Sequence, residues 1–250
     1  MPDGGVSPGR VLVAVAHGSA DPRASATIAE LAAVARKRSP GLDLRTAFLG
    51  HAAPSLPQVL GMIEADREVT VLPLLLTAAY HSKADIPRVL ARTAHPRVSY
   101  GATLGPHPLL LDVLDRRLAE ADPGVHRDPA RTAVVLAAAG SSDPGANATI
   151  ARMAARWQAR TGWLAVRPAY ASAAEPSPAA AVAGLLRDGA PRVVVATYLL
   201  APGFFADRIR HTALAAEAAA VSPALGACAE VADVMLDRFA QARSMRRSAA

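Results

Sequence analysis

Two histidines stand where apolar runs break off. His17 closes the first run in "VAVAHGSADP", residues 13–22, and His81 follows another in "PLLLTAAYHSKADIP", residues 73–87. Imidazole is a common ligand for divalent transition metals and a general base near neutral pH, so both are candidates for either duty. If the two runs are adjacent parallel strands, about 4.8 Å apart, imidazoles at their ends can share one ion of the Fe, Co, Ni or Zn type. Two ligands with open positions suit delivering a metal better than storing one. The plain alternative for His17 is a strand-to-helix turn whose ring is tied to nearby backbone.

The chain carries its own control, because the turn occurs twice. An offset of 122 residues places Gly18, Ser19, Asp21 and Pro22 on Gly140, Ser141, Asp143 and Pro144, and "ATIA" at 26–29 on "ATIA" at 148–151. The same register aligns Ala47, Pro54 and Ser55 with Ala169, Pro176 and Ser177. One register held across both stretches indicates a duplicated unit. In the second copy Ala139 replaces His17, and "TYLLAPGFFADRI", residues 197–209, has Phe204 and Phe205 in the places of Tyr80 and His81. The turn forms without an imidazole, so His17 is there for chemistry.

Short Val, Leu and Ala runs alternate with segments of helical period, which predicts an α/β fold of two duplicated lobes, each a parallel sheet flanked by helices. Residues 1–122 form the N-terminal lobe with the histidines, 123–131 the linker, and 132–250 the degenerate C-terminal lobe. "VLVAVA", "LDLRTAFL", "VTVLPLLL" and "RVSYGATL" read as the first four strands. Helices are expected near 23–38, from Pro54 to about Asp66, from near Lys83 and from near Pro108. The second lobe has strands near 132–138, 164–170 and 192–200, and a last helix from near Glu230. Ligands of such sheets sit beyond the carboxyl ends of the strands. Gly18 and Ser19 permit the tight turn there, and Asp21 before Pro22 suits a helix N-cap.

Composition narrows the partners. The formal charge of +6 comes from scattered arginines without a basic block, favouring an anionic small molecule over nucleic acid. Cys228 is the only cysteine, which excludes an intrachain disulfide and a thiolate metal cluster. The first apolar run is far shorter than the roughly 20 residues of a membrane span, and a cytoplasmic, membrane-free protein is expected. The absence of "GxxxxGK[ST]" argues against a nucleotide cofactor.

"AHGS" on the first strand, "FL..AAPS" on the second and "PLLL...YH...DIP" on the third together resemble the sirohydrochlorin chelatases, the CbiX/SirB type of class II chelatase, in their two-lobed form. The resemblance implies that His17 and His81 bind the metal and help remove pyrrole protons. It also implies that Ala52 and the loop Thr77, Ala78, Ala79, Tyr80 and Ser82 contact the substrate. The implied reaction inserts a divalent metal, Fe2+ or Co2+ with Ni2+ as a third option, into an anionic sirohydrochlorin-type tetrapyrrole on the way to sirohaem or cobalamin. One departure stands out. Family members commonly carry glutamate in "FLE", whereas this chain reads "FLGHAAPS" with Gly50 in that place. His51 is the catalytic candidate to replace it, provided the chain has left the strand by then, since neighbours within a strand face opposite ways. Otherwise His51 is a solvent-facing loop residue.

Other candidates rank lower. His107 precedes a helix near the same edge; His95, His126 and His211 suit surface roles; Arg88 and Arg92 follow His81 and can meet carboxylates if they face the ligand. Two rivals from other classes remain open at this point. A noncatalytic metal or tetrapyrrole carrier would follow from loss of the glutamate. A histidine phosphatase needs an "RHG" turn, and Ala16 occupies the arginine position.

Overall fold

The computed structural model describes residues 10–78, 81–93 and 95–248. In chain order the first repeat gives β1 (Arg10–Ala16), α1 (Pro22–Arg38), β2 (Asp43–Phe48), α2 (Leu56–Gly61) and β3 (Glu68–Pro73). A π-helical turn (His81–Asp85) then runs into α3 (Ile86–Ala91), followed by β4 (Val98–Tyr100) and α4 (Pro108–Ala121). The second repeat gives β5 (Thr132–Ala138), α5 (Pro144–Thr161), β6 (Ala165–Tyr170) and α6 (Pro178–Arg187). It ends with β7 (Arg192–Tyr198), α7 (Phe204–Ala215), β8 (Ala220–Val221) and α8 (Ala229–Ser248). Two four-stranded sheets result, ordered β2-β1-β3-β4 and β6-β5-β7-β8, with every pairing parallel. The α/β class and its duplication are as the sequence implies.

The central strands are apolar along most of their length because both faces are covered. Val11, Val13 and Val15 pack with Leu56, Val59 and Leu60 of α2 and Ile86 of α3. Ala133, Val135 and Ala137 pack in the same way against Ala181, Val182 and Leu185 of α6 and Ile209 and Ala213 of α7. Asp21 and Asp143 cap α1 and α5, each accepting from the amide two residues on at 2.9 Å, with proline at the first helical position.

Packing divides the chain differently from the repeat. One unit comprises the residues up to Gly105 together with those from Ala227 on; the other is Pro106–Gly226. Thus α8, which ends the second repeat, packs beside α1 and β3, and its Asp233 pairs with Arg38 of α1 at 2.5 Å. Arg238 of α8 donates to the Leu104 carbonyl at 3.2 Å. The second unit repeats the arrangement: α4 packs on β7 and β8, and its Arg117 donates to the Leu225 carbonyl at 2.7 Å. The sequence divisions 1–122, 123–131 and 132–250 describe the duplication, while the exchange of α4 and α8 sets the cores.

Several boundaries are corrected. The helix expected from Pro54 to about Asp66 is shorter, Leu56–Gly61: Ser55 is its N-cap, with its amide bonded to Gln58 Oε1 at 2.8 Å. The fourth strand keeps only Val98–Tyr100 of "RVSYGATL". The helix placed near Lys83 starts at His81 in π form.

Met235 of α8 is fully buried. Met235→Ala should lower stability by about 2–4 kcal/mol, read as a lower urea midpoint at unchanged slope.

Candidate metal and tetrapyrrole site

The sheet order places β2, β1 and β3 side by side, and a histidine-bearing segment leaves the carboxyl end of each. His17 comes immediately after β1, His51 three residues after β2, and His81 at the start of the π-turn beyond β3. Chain order reverses direction at β1, the kind of switch point where open parallel sheets bind ligands.

Backbone bonds hold these ends together. The Leu49 and Gly50 amides donate to the carbonyls of Ala16 and His17 at 3.0 and 3.1 Å, and the Leu74 amide donates to Val15 at 2.7 Å. Gly18 has φ +88° and lies so close to β2's loop that a Cβ on it would stand 1.7 Å from the Gly50 carbonyl oxygen. Only glycine fits there. The chain has left the strand before His51, which adopts φ 58°, so the alternation that would have turned its ring away no longer applies. The His17 and His51 rings, both exposed, lie 6.5 Å apart between centroids at an angle of 59°.

The second repeat builds the same backbone with other side chains. Gly140 has φ +86° and a Cβ on it would meet the Ser172 carbonyl at 1.9 Å; Ala173 takes φ 57°, and Glu175–Pro176 is cis. Ala139 and Ala173 therefore occupy the positions of His17 and His51. Strand registers extend the comparison. Arg10 faces Glu68, and Thr132 faces Arg192, so an offset of 124 relates the third strands and sets Phe204 and Phe205 on Tyr80 and His81. Phe204 is 70% exposed.

Of the expected contact residues, Ala52 and Thr77 are half-buried, Ala78 is exposed and Ser82 is buried. Ala79 and Tyr80 lie outside the described residues, and His81 is described through its backbone. Arg88 and Arg92 are exposed on and just after α3, with Arg88 4.0 Å from Asp85. Among the described residues no group of three His, Cys, Asp or Glu side chains is placed to hold a metal. Asp21 sits in the turn after His17, and its carboxyl is held below the usual range by bonds from the Arg23 side chain and amide.

Three other histidines make local contacts. His107 Nδ1 accepts from the Leu109 amide at 3.3 Å as N-cap of α4. His95 Nδ1 accepts from the Arg97 amide, which leaves its Nε2–H to donate to Glu64 at 3.0 Å. His126 lies 5.1 Å from Trp163, ring to ring. Sequence reasoning passed over Tyr100, whose hydroxyl donates to the Ser82 carbonyl at 2.9 Å. The signal was available only through strand register, which pairs Tyr100 with Val71 and its counterpart Val221 with Val195.

The fold matches that of SirB from Bacillus subtilis with Fe3+, with a TM-score of 0.78 at 24% identity, covering 94% of this chain and 95% of that one. That likeness shows an α/β fold shared with SirB. The family model for CbiX matches residues 11–121 and again 133–242, and the chain belongs to that family. It is 28% identical over 203 residues to a sirohydrochlorin cobaltochelatase of Priestia megaterium, covering 79% of this chain and 66% of the relative. It is 28% identical over 170 residues to a sirohydrochlorin ferrochelatase of the same organism, covering 66% of this chain and 63% of the relative. The matched stretches span just under two thirds of these relatives.

Gly18→Ala should cost about 3 kcal/mol or more, read by urea unfolding, because both the backbone angle and the Gly50 carbonyl oppose a Cβ. Gly50→Ala should stay within about 0.5 kcal/mol of wild type, since a Cβ there meets nothing within 4 Å.

Proposed function

We propose that this chain is a sirohydrochlorin chelatase that inserts Fe2+ or Co2+ into an anionic sirohydrochlorin-type tetrapyrrole, with no nucleotide cofactor. The reading is supported above all by one observation. Histidines follow the ends of three adjacent parallel strands in the first repeat, and the second repeat keeps the first two turns with alanine in place of both imidazoles. The names of the relatives point to the same reaction.

In this reading His17 and His81 hold the divalent ion as it arrives, with positions left open for pyrrole nitrogens. The charge of the ion lowers the pyrrole pKa values, an imidazole takes each departing proton, and the ion passes into the ring. His51, beside His17, accepts protons in place of the glutamate absent at position 50. Ala52 and the loop Thr77, Ala78, Ala79, Tyr80 and Ser82 contact the macrocycle, and the scattered arginines favour a polycarboxylate. Among the described residues no helix is long and apolar enough to cross a membrane, which fits work on a water-soluble substrate in the cytoplasm.

Anaerobic insertion of Fe2+, Co2+ and Ni2+ into sirohydrochlorin, followed by absorbance, tests the reading. Wild type should turn over repeatedly with Fe2+ or Co2+, and His17→Ala or His81→Ala should lose about 100-fold or more. His51→Ala should lower kcat by about 10–100-fold, with partial recovery on adding Gly50→Glu, whose Cβ would meet nothing within 4 Å. Stoichiometric binding without turnover would instead favour a carrier.

A further inference from the structure

The π-turn that begins with His81 receives a hydrogen bond from outside its own helix. In a helix with i→i+5 bonding the Ser82 carbonyl would accept from residue 87, and residue 87 is proline, without an N–H. Ser82 is buried, where a backbone carbonyl depends on bonded partners. The Tyr100 hydroxyl donates to this carbonyl from the end of β4, at 2.9 Å. Its ring is anchored beside the core formed by β1, β3, α2 and α3. Burial pushes the Tyr100 phenol up to about 12, so it stays protonated and can only donate to a carbonyl at working pH.

The second repeat again supplies the control. Val221 stands at the register position of Tyr100, and α7 begins at Phe204 as an ordinary α-helix with no π-turn and no histidine in the first turn. The hydroxyl, the π-turn and the histidine are present together in one repeat and absent together from the other. A purely structural duty at the end of the fourth strand would not follow the histidine in this way.

We propose that Tyr100 is a positioning residue for metal capture: through the Ser82 carbonyl it fixes the turn that carries His81. The proposal rests on the reading of His81 as a metal ligand. Supporting groups of this kind typically alter metal affinity by about 10–100-fold.

The test uses Co2+ alone, titrated anaerobically into the full chain and read by its visible absorption, with wild type, Tyr100→Phe and His81→Ala side by side. Phenylalanine keeps the ring packing and removes only the donor. Tyr100→Phe should weaken Co2+ binding about tenfold and raise KM for the metal by a similar factor, with Tm within about 4 °C of wild type. Wild-type Co2+ affinity in Tyr100→Phe, alongside lost binding in His81→Ala, would overturn the role of Tyr100 and leave the site reading intact. Wild-type affinity in His81→Ala would overturn both. A fall in Tm beyond about 10 °C in Tyr100→Phe would show that the hydroxyl serves the fold and would also overturn the proposal.

Discussion

The contact on which the site depends is the approach of the Gly18 backbone to the Gly50 carbonyl. A side chain at position 18 would stand 1.7 Å from that oxygen, so glycine is required for the turn after β1 to lie against the loop after β2. Bonds from the Leu49 and Gly50 amides to Ala16 and His17 draw the two strand ends together. The proximity of the His17 and His51 rings is a consequence: one leaves the contact on β1, the other one residue past Gly50 on the β2 loop. A deeper core would add stability, but this contact decides which side chains meet.

Duplication makes the division between scaffold and chemistry visible. The second repeat preserves the glycine contact, the left-handed residue and the cis-proline, so these belong to the scaffold. Its turn carries further side-chain bonds from Asn147 and Ser172, which stand where the first repeat has Ser25 and Gly50. Asn147 accepts from the Ser141 amide at 3.1 Å and donates to the Ser141 carbonyl at 2.7 Å, and the Ser172 hydroxyl donates to Ala139 at 3.0 Å. Alanines stand where the first repeat has imidazoles. The second copy keeps the architecture and uses the strand-end groups to bond itself.

Much of this was legible in the sequence because the repeat supplied an internal comparison. Continuous apolar strands gave the buried parallel sheets, and the recurrence of "GS.DP" without its histidine singled out His17. The exchange of α4 and α8 was not legible, since helical periodicity says which face is apolar and not which sheet covers it. Tyr100 was hidden by drift in register. At the offset of 122 it falls against Ser222, an unremarkable polar exchange, whereas the strand pairing sets it against Val221. The proximity of His51 to His17 turned on a backbone angle that a strand pattern does not encode.

In the proposed function the strand-end imidazoles of the first repeat hold the incoming metal. Cobalt K-edge X-ray absorption on the Co2+-loaded chain without tetrapyrrole measures this directly, because imidazole rings give characteristic outer-shell scattering. At least two imidazoles should contribute to the scattering, and the signal should diminish in His17→Ala. A first shell of oxygen ligands only, or a spectrum indifferent to that substitution, would contradict it.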